Sequence, residues 1–340
     1  MPRSGTRRPR GRGQILTETE WIETFIQPRA NKGLRSDWLG PGDDAALLPL
    51  DDSECSVLTV DALVEGQHFR TEWLDDSGLA RRLLRSGVSD LTAMGARPRG
   101  LLLSIETPEL PGRVGETFWD SVDQECQLLD LKLLGGNVVA TDGPLALHAT
   151  CIGSVGIGRE WRRNGASVDD LLLVSGYPGR AAQAREQIAA GQSFAGKDPW
   201  TAPEPRLLFA ATLSTLLAQE APQLLPAVID ISDGLLLDLK RLCQVNGCGA
   251  RIDIGALLEP VGSPTADQVL SGGEDYELLM AIPSSARSIV AKAADETGTP
   301  WHEIGTLTAN QDQQIEVLIQ GSDLTPENQG WDPFSGKKIR

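Results

Sequence analysis

Histidine is scarce in this chain. The three present in 340 residues, His68, His148 and His302, are too few and too scattered to build a zinc site with ease. The five cysteines, Cys55, Cys126, Cys151, Cys243 and Cys248, are odd in number and contain no Cys-x-x-Cys pair. They read as free thiols in a reducing cytosol and not as a disulfide framework. A Gly-x-Ser-x-Gly elbow is missing, which removes the sequence sign of a serine nucleophile. No apolar run approaches the roughly 20 residues that cross a bilayer, so a soluble chain without membrane association is expected. Positive charge is the minority sign, with a formal net charge of −16. Five arginines, Arg3, Arg7, Arg8, Arg10 and Arg12, fall in the first thirteen residues with no acid beside them, so the remainder is more acidic still. Such a body repels nucleic acid and anionic membrane. Any phosphate it binds must be held through metal ions, backbone amides and a few arginines.

What is there is enough for two cored domains, at 40% hydrophobic content. The Arg/Gly/Pro-rich residues 1–13 cannot pack a core and read as a disordered basic tail. Trp21, Ile22, Phe25 and Ile26 recur at helical spacing and predict an amphipathic helix over 17–27. A β-branched run at 57–60 predicts a strand ending at Asp61. A helix over 77–96 follows, its apolar face marked by Leu79, Leu83, Leu84, Val88, Leu91 and Met94, with Asp90 near its end. A strand at 101–105, a helix at 114–131, a glycine turn at Gly135-Gly136-Asn137 and a strand at 145–155 complete the first half. Polar composition over 158–170 suggests a boundary, giving domains at 14–158 and 159–340. Beyond it, strands at 171–175, 227–231, 250–254, 276–282, 303–307 and 315–319 alternate with helices at 180–190, 206–219, 235–245 and 284–297. The mixture in both halves predicts an α/β plus α+β fold.

The candidate chemistry lies in acidic turns. Gly40-Pro41-Gly42-Asp43-Asp44 sets two carboxylates on a tight turn, and Asp61, Asp90, Asp230 and Asp233 recur in similar settings. Oxygen donors of this kind suit a hard cation such as magnesium, which often bridges carboxylates to substrate phosphates. Gly191 to Asp198, G-Q-S-F-A-G-K-D, approaches a Walker A loop but ends on Asp198 where a hydroxyl is needed and follows a predicted helix. A Rossmann glycine fingerprint in strand-to-helix context is also absent.

Five segments occur in order: G-P-G-D-D-A-A from Gly40, V-D-A-L-V-E-G-Q-H-F from Val60, S-D-L-T-A-M-G-A from Ser89, I-D-I-S-D-G-L from Ile229 and S-G-G-E-D-Y-E-L from Ser271. Their order and spacing, from about residue 17 to Trp331, closely resemble the thiamine-monophosphate kinase family, of the superfamily of aminoimidazole ribonucleotide synthetase. The resemblance implies a two-domain fold of that type, an N-terminal domain that binds ATP and metal and forms a homodimer through its sheet, and an active site in the interdomain cleft. It implies ATP-dependent phosphorylation of thiamine monophosphate to thiamine diphosphate in the cytoplasm, with ATP as co-substrate and magnesium as cofactor. Residues matching metal ligands are Asp43, Asp44, Asp61, Asp90, Asn137, Asp230 and Asp233, of which Asp44, Asp90 and Asp233 match the catalytic set. Gly136, Asn137, Arg163 and Ser232 match nucleotide contacts; His68, Glu274 and Trp331 match substrate contacts.

The chain departs from that pattern at Gly135-Gly136-Asn137-Val138-Val139-Ala140, where the family has Gly-Gly-Asp-Thr-Thr-Arg, and at Val60, where a hydroxyl residue is usual. An asparagine carbonyl ligates magnesium without adding charge, so one ion is expected to bind more weakly. Two alternatives stand beside the kinase: a weakened relative that binds thiamine phosphate or nucleotide without turnover, and another ATP-dependent enzyme of the superfamily.

Overall fold

The computed structural model describes residues 17–331 except 31, 33, 194–197, 260–261, 310–313 and 327–329. The basic segment 1–13 and part of the Walker-like loop therefore lie outside the described residues. Thr17 caps a short helix, α1 (Glu18–Trp21), and the backbone then widens into a π-helical stretch, Ile22–Ile26, before α2 (Gln27–Ala30). The amphipathic helix expected at 17–27 is thus three short pieces, and Trp21 and Phe25 remain exposed.

The first sheet holds β1 (Ala46–Pro49), β2 (Glu54–Val64), β3 (Arg97–Thr107), β4 (Lys132–Ala140) and β5 (Ala146–Gly156) in the order β1-β2-β5-β3-β4. Only the β3–β4 pair is parallel. Helices α3 (Asp76–Ala93) and α4 (Glu116–Leu128) cover one face. Asp75 caps α3, accepting from Gly78 N. The apolar face of α3 then buries Leu79, Leu83, Leu84, Val88 and Leu91 against Val57, Leu101, Leu147 and Cys151 of the sheet. Gly87 lets α3 lie close to the strands, because a Cβ there would sit 2.9 Å from Cys151 Sγ. The other face of this sheet is open, with Val60 66% exposed, and every residue of the edge strand β4 is exposed.

Two expectations fail here. β2 does not end at Asp61 but continues to Val64. Gly135-Gly136-Asn137 is no turn but the middle of β4. The glycine at 136 answers to its neighbour strand, since a Cβ on it would come within 1.8 Å of Leu103 O. The spacing of β4 glycines looked like a loop because strands rarely carry two in succession.

The second sheet combines β6 (Leu171–Ser175), β7 (Ala227–Asp230), β8 (Gly249–Asp253), β9 (Leu278–Ile282), β10 (Trp301–Thr308), β11 (Ile315–Ile319) and β12 (Ser322–Leu324), in the order β12-β11-β8-β10-β6-β9-β7. Its helices are α5 (Arg180–Ala189), α6 (Leu207–Glu220), α7 (Leu235–Asn246), the single turn α8 (Gly255–Leu258), α9 (Ala266–Ser271) and α10 (Arg287–Thr297). The period of two along β6 divides the core. Leu172 and Val174 pack with Leu235, Leu239 and Val269 of α7 and α9, whereas Leu173 packs with Phe209, Leu213 and Ile289 of α6 and α10. Tyr276 and Glu277, expected in a strand, precede β9 as an irregular segment in which Glu274 and Tyr276 have positive φ.

Helix α3 ties the two units together. Arg82, Arg85 and Ser89, spaced three and four residues apart, lie on one helix face. Arg82 is fully buried and donates to Trp200 O and to Glu274; Arg85 donates to Pro203 O at 3.1 Å; Ser89 donates to Asp230 Oδ2 at 2.7 Å.

Candidate active site

Three carboxylates from three parts of the chain converge. Asp44 comes from the turn before β1, Asp90 from the last turn of α3 and Asp230 from the end of β7. Their ligand oxygens all lie within 4.8 Å of one another. The turn at 40–44 needs Gly42, whose φ is +129°. Arg163 crosses from the segment between the sheets: its N donates to Asp43 Oδ1 at 3.1 Å and its Nη2 to Asp44 Oδ1 at 2.7 Å. Asn246, at the end of α7, holds that segment by donating to Arg163 O and accepting from Gly165 and Ala166 N. Thr59 of β2 donates its hydroxyl to Asp90.

The electrostatics are unfavourable as they stand. Burial pushes the carboxyls of Asp90 and Asp230 well up, and neighbouring aspartates push the same way: chiefly Asp230 on Asp90, and Asp44 on Asp230. Asp43 is pushed up to about 6 by burial and then by Asp44. Among the described residues, the three carboxylates have one cation in direct contact, Arg163, and Asp44 Oδ2 is buried with no hydrogen-bond partner. A sealed, unpartnered carboxylate oxygen beside two more carboxylates is a donor set that fits a hard divalent cation.

Beside the cluster opens a cleft of about 260 Å³, lined by Asp61, His68, Asp90, Ser232, Asp233, Glu274 and Trp331 among others. Most residues singled out in the sequence therefore gather here. Asp61 shares the face of β2 that looks toward α3, and its Oδ1 accepts from Ala62 N at 2.8 Å. His68 Nδ1 accepts from Val64 N at 3.0 Å, so Nε2 carries the proton, and burial lowers its pKa despite Glu274 and Asp61 nearby. It is a neutral hydrogen-bond donor toward the cleft. The Ser232-Asp233 turn is pinned from α7: both backbone N–H groups donate to Asp238 Oδ2 at 3.1 Å. Asp233 Oδ2 accepts from Arg241 at 2.6 Å. Trp331 N donates to Asp233 O at 2.9 Å, which anchors the indole's segment at the rim.

Glu274 occupies the opposite electrostatic situation. Arg82 donates to its Oε1, and Arg185 and Trp200 Nε1 to its Oε2, the last at 3.0 Å. Burial raises its pKa, but the two guanidinium groups outweigh burial and hold it below the ordinary carboxylate value. Arg82, Arg185, Trp200, Thr59, Asp238 and Arg241 were all missed from sequence. No local signal marked Arg82, which shares its helix face with Arg85, Ser86 and Ser89.

Gly136 and Asn137 are not brought to this cleft within one chain. The register aligns Ala62, His148, Ser104 and Asn137 in one row, next to the row of Asp61, Ala149, Leu103 and Gly136. Side chains alternate, so Asn137 faces the open side, away from α3, three strands and about 14 Å from β2. Val60 faces that side too, so its lack of a hydroxyl takes nothing from the face of β2 on which Thr59 and Asp61 lie.

Relatives share the fold. Residues 42–155 match the family model of AIR synthase related protein, N-terminal domain, and residues 168–318 that of AIR synthase related protein, C-terminal domain. The fold and site thus define a two-domain protein of the AIR synthase-related class. The thiamine-monophosphate kinase of Salmonella typhimurium is 32% identical over 319 residues, 87% of this chain and 92% of that one. The crystal structure of thiamine-monophosphate kinase from Stenotrophomonas maltophilia K279a is 30% identical with a TM-score of 0.67, covering 89% of this chain and 96% of that chain. AaThiL complexed with AMPPCP and TMP shares the fold at a TM-score of 0.71, with 24% identity over 97% of this chain and 99% of that one. The chain belongs to the thiamine-monophosphate kinase family.

Proposed function

We propose that this cleft transfers the γ-phosphoryl group of ATP to thiamine monophosphate, giving thiamine diphosphate and ADP. The observation that carries the reading is the convergence of Asp44, Asp90 and Asp230 from both units beside a cleft edged by His68, Glu274 and Trp331. A phosphate oxygen of the acceptor forms the new bond to the γ-phosphorus while the bond to the β,γ-bridging oxygen breaks and ADP leaves. The acceptor is a monoester whose second pKa is about 6, so it arrives largely ionised and needs no general base. That agrees with a site whose one histidine is held neutral.

Asp44, Asp90 and Asp230 would hold magnesium, with Asp43, Asp61 and Asp233 completing the acidic surround. Bound there, magnesium neutralises phosphate charge and polarises phosphoryl oxygens. Arg163 keeps Asp44 in place, and Ser232 offers a hydroxyl at the nucleotide side of the Asp233 turn. His68 Nε2–H orients the acceptor. The Trp331 indole gives the cationic thiazolium ring an aromatic face, an interaction worth about 0.5–2 kcal/mol. Arg82 and Arg185 together exceed the charge of Glu274 by one, leaving the far wall net positive in an otherwise acidic cleft. In the same reading the chain is a cytoplasmic homodimer, paired through the open face of the first sheet. Exposed Val60, Leu102, Leu134 and Val139 support that assembly.

Incubation with ATP, magnesium and thiamine monophosphate, followed by chromatographic separation, tests the reaction. Equal amounts of ADP and thiamine diphosphate are expected. ATP hydrolysis without thiamine diphosphate, or no turnover at all, would overturn it in favour of the weakened-relative reading.

A further inference from the structure

We propose a second anion site, independent of the kinase reading, in the groove at the far end of the junction between the two sheets, taking a small anion of the diphosphate class. Its floor is built by Arg97 and Arg99 at the start of β3 and by Arg159 just past β5, and its opposite wall by Ser214 and Thr215 of α6. The cavity measures about 420 Å³. Glu54 marks this end of β2 and Asp61 the active-site end, seven residues along, so the two sites are about 23 Å apart along the strand.

Charge and geometry both favour an anion. Three guanidinium groups face one carboxylate, Glu54, in a chain whose net charge is −16. Two of the three are fixed in place: Arg99 Nε donates to Ser154 Oγ at 2.8 Å and its Nη2 reaches Glu54 at 3.4 Å, while Arg159 Nη1 donates to Pro222 O at 2.8 Å. The Arg97 guanidinium makes no hydrogen bond or ion pair among the described residues, and neither does the Ser214 hydroxyl. The loop beneath is rigidly seated. Gly95 has φ +66° with the Trp161 ring 3.0 Å from where a Cβ would stand, and Trp161 N donates to Met94 O at 3.1 Å. Planar guanidinium forks match phosphate oxygens in pairs, and a groove this size accommodates two linked phosphates. An anion bound there would contact both units at once.

The test is hydrogen exchange on the full chain in EDTA, with inorganic pyrophosphate as the probe. Saturable protection of residues 95–99, 154–159 and 211–219 is expected, with Kd at least tenfold weaker in the double variant Arg97→Ala, Arg159→Ala. Should that variant melt early, Ser214→Asp, from the other wall, must show the same weakening. Thiamine diphosphate serves as a second arm: equal protection means that the diphosphate tail of an ester is recognised, and protection by pyrophosphate alone marks an inorganic anion. Protection confined to the residues of the active cleft, or unchanged affinity in the variants, would overturn the proposal.

Discussion

Two acid-rich regions of the molecule solve the same problem in opposite ways. At Asp44, Asp90 and Asp230 the carboxylates are buried together with, among the described residues, one arginine beside them and one oxygen sealed without a partner. At Glu274 and Glu277 each carboxylate is matched by guanidinium: Arg82 and Arg185 on the first, Arg206 on the second, with Ser175 donating to Glu277 at 2.5 Å. One region is unfinished as a protein structure and the other complete. Incompleteness of this kind marks where a ligand belongs, because buried charge left unmatched costs several kcal/mol unless something else neutralises it.

The comparison can be broken most sharply at Asp90. Asp90→Asn removes a charge from the proposed metal site and should lower kcat by about a thousandfold, roughly 4 kcal/mol of transition-state stabilisation. In EDTA the same variant should melt higher than the parent, since one source of repulsion is gone. A melt that falls in EDTA would show that Asp90 is a structural carboxylate like Glu274. Next in size is Glu274→Gln, which leaves Arg82 buried without its counter-ion and should cost about 3 kcal/mol of stability, measured by urea unfolding with and without magnesium. Its loss should be the same in both conditions.

A smaller effect separates the regions by pH. Asp43 has a folded pKa of about 6, raised above its ordinary 3.8. The stability linked to it is fully present below about pH 4 and is lost as pH rises through 6. The melting temperature of metal-free protein should therefore decline across that window, and added magnesium should flatten the decline. An identical slope with and without magnesium would separate Asp43 from the metal cluster. The smallest effect is expected from Asn137→Asp. With its side chain on the open face of the sheet, the substitution should leave the magnesium concentration for half-maximal rate within about twofold, while placing charge on an apolar surface that would weaken the proposed dimer. Magnesium titration and light scattering read the two consequences separately.

Much of this was legible in the sequence because turns and caps advertise themselves. Asp44 follows a glycine-rich turn, Asp90 and Asp230 sit near element ends, and the apolar run of Leu79 to Met94 marks α3 without ambiguity. The partners were not legible, for physical reasons. Arg82 meets Glu274 across 192 positions of chain and Arg163 meets Asp44 across 119. Nothing local distinguishes those arginines from solvated ones. The glycine pair in β4 misled because a glycine required by close strand approach looks the same in sequence as one required by a turn.

Helix α3 also imposes a tolerance on the gene that encodes it. Arg82, Arg85, Ser89 and Asp90 serve both halves of the molecule only because they share a helical phase. One inserted codon between Arg82 and Arg85 would advance everything beyond it by 100°. Leu91 and Val88 would rotate out of the core as Ser89 and Asp90 swing off the cleft, so packing and chemistry would be lost in a single step. Substitutions in α3 can be graded, one side chain at a time. Changes in its length cannot, and drift in this segment should be confined to replacements, with insertions and deletions falling instead in the connections on either side.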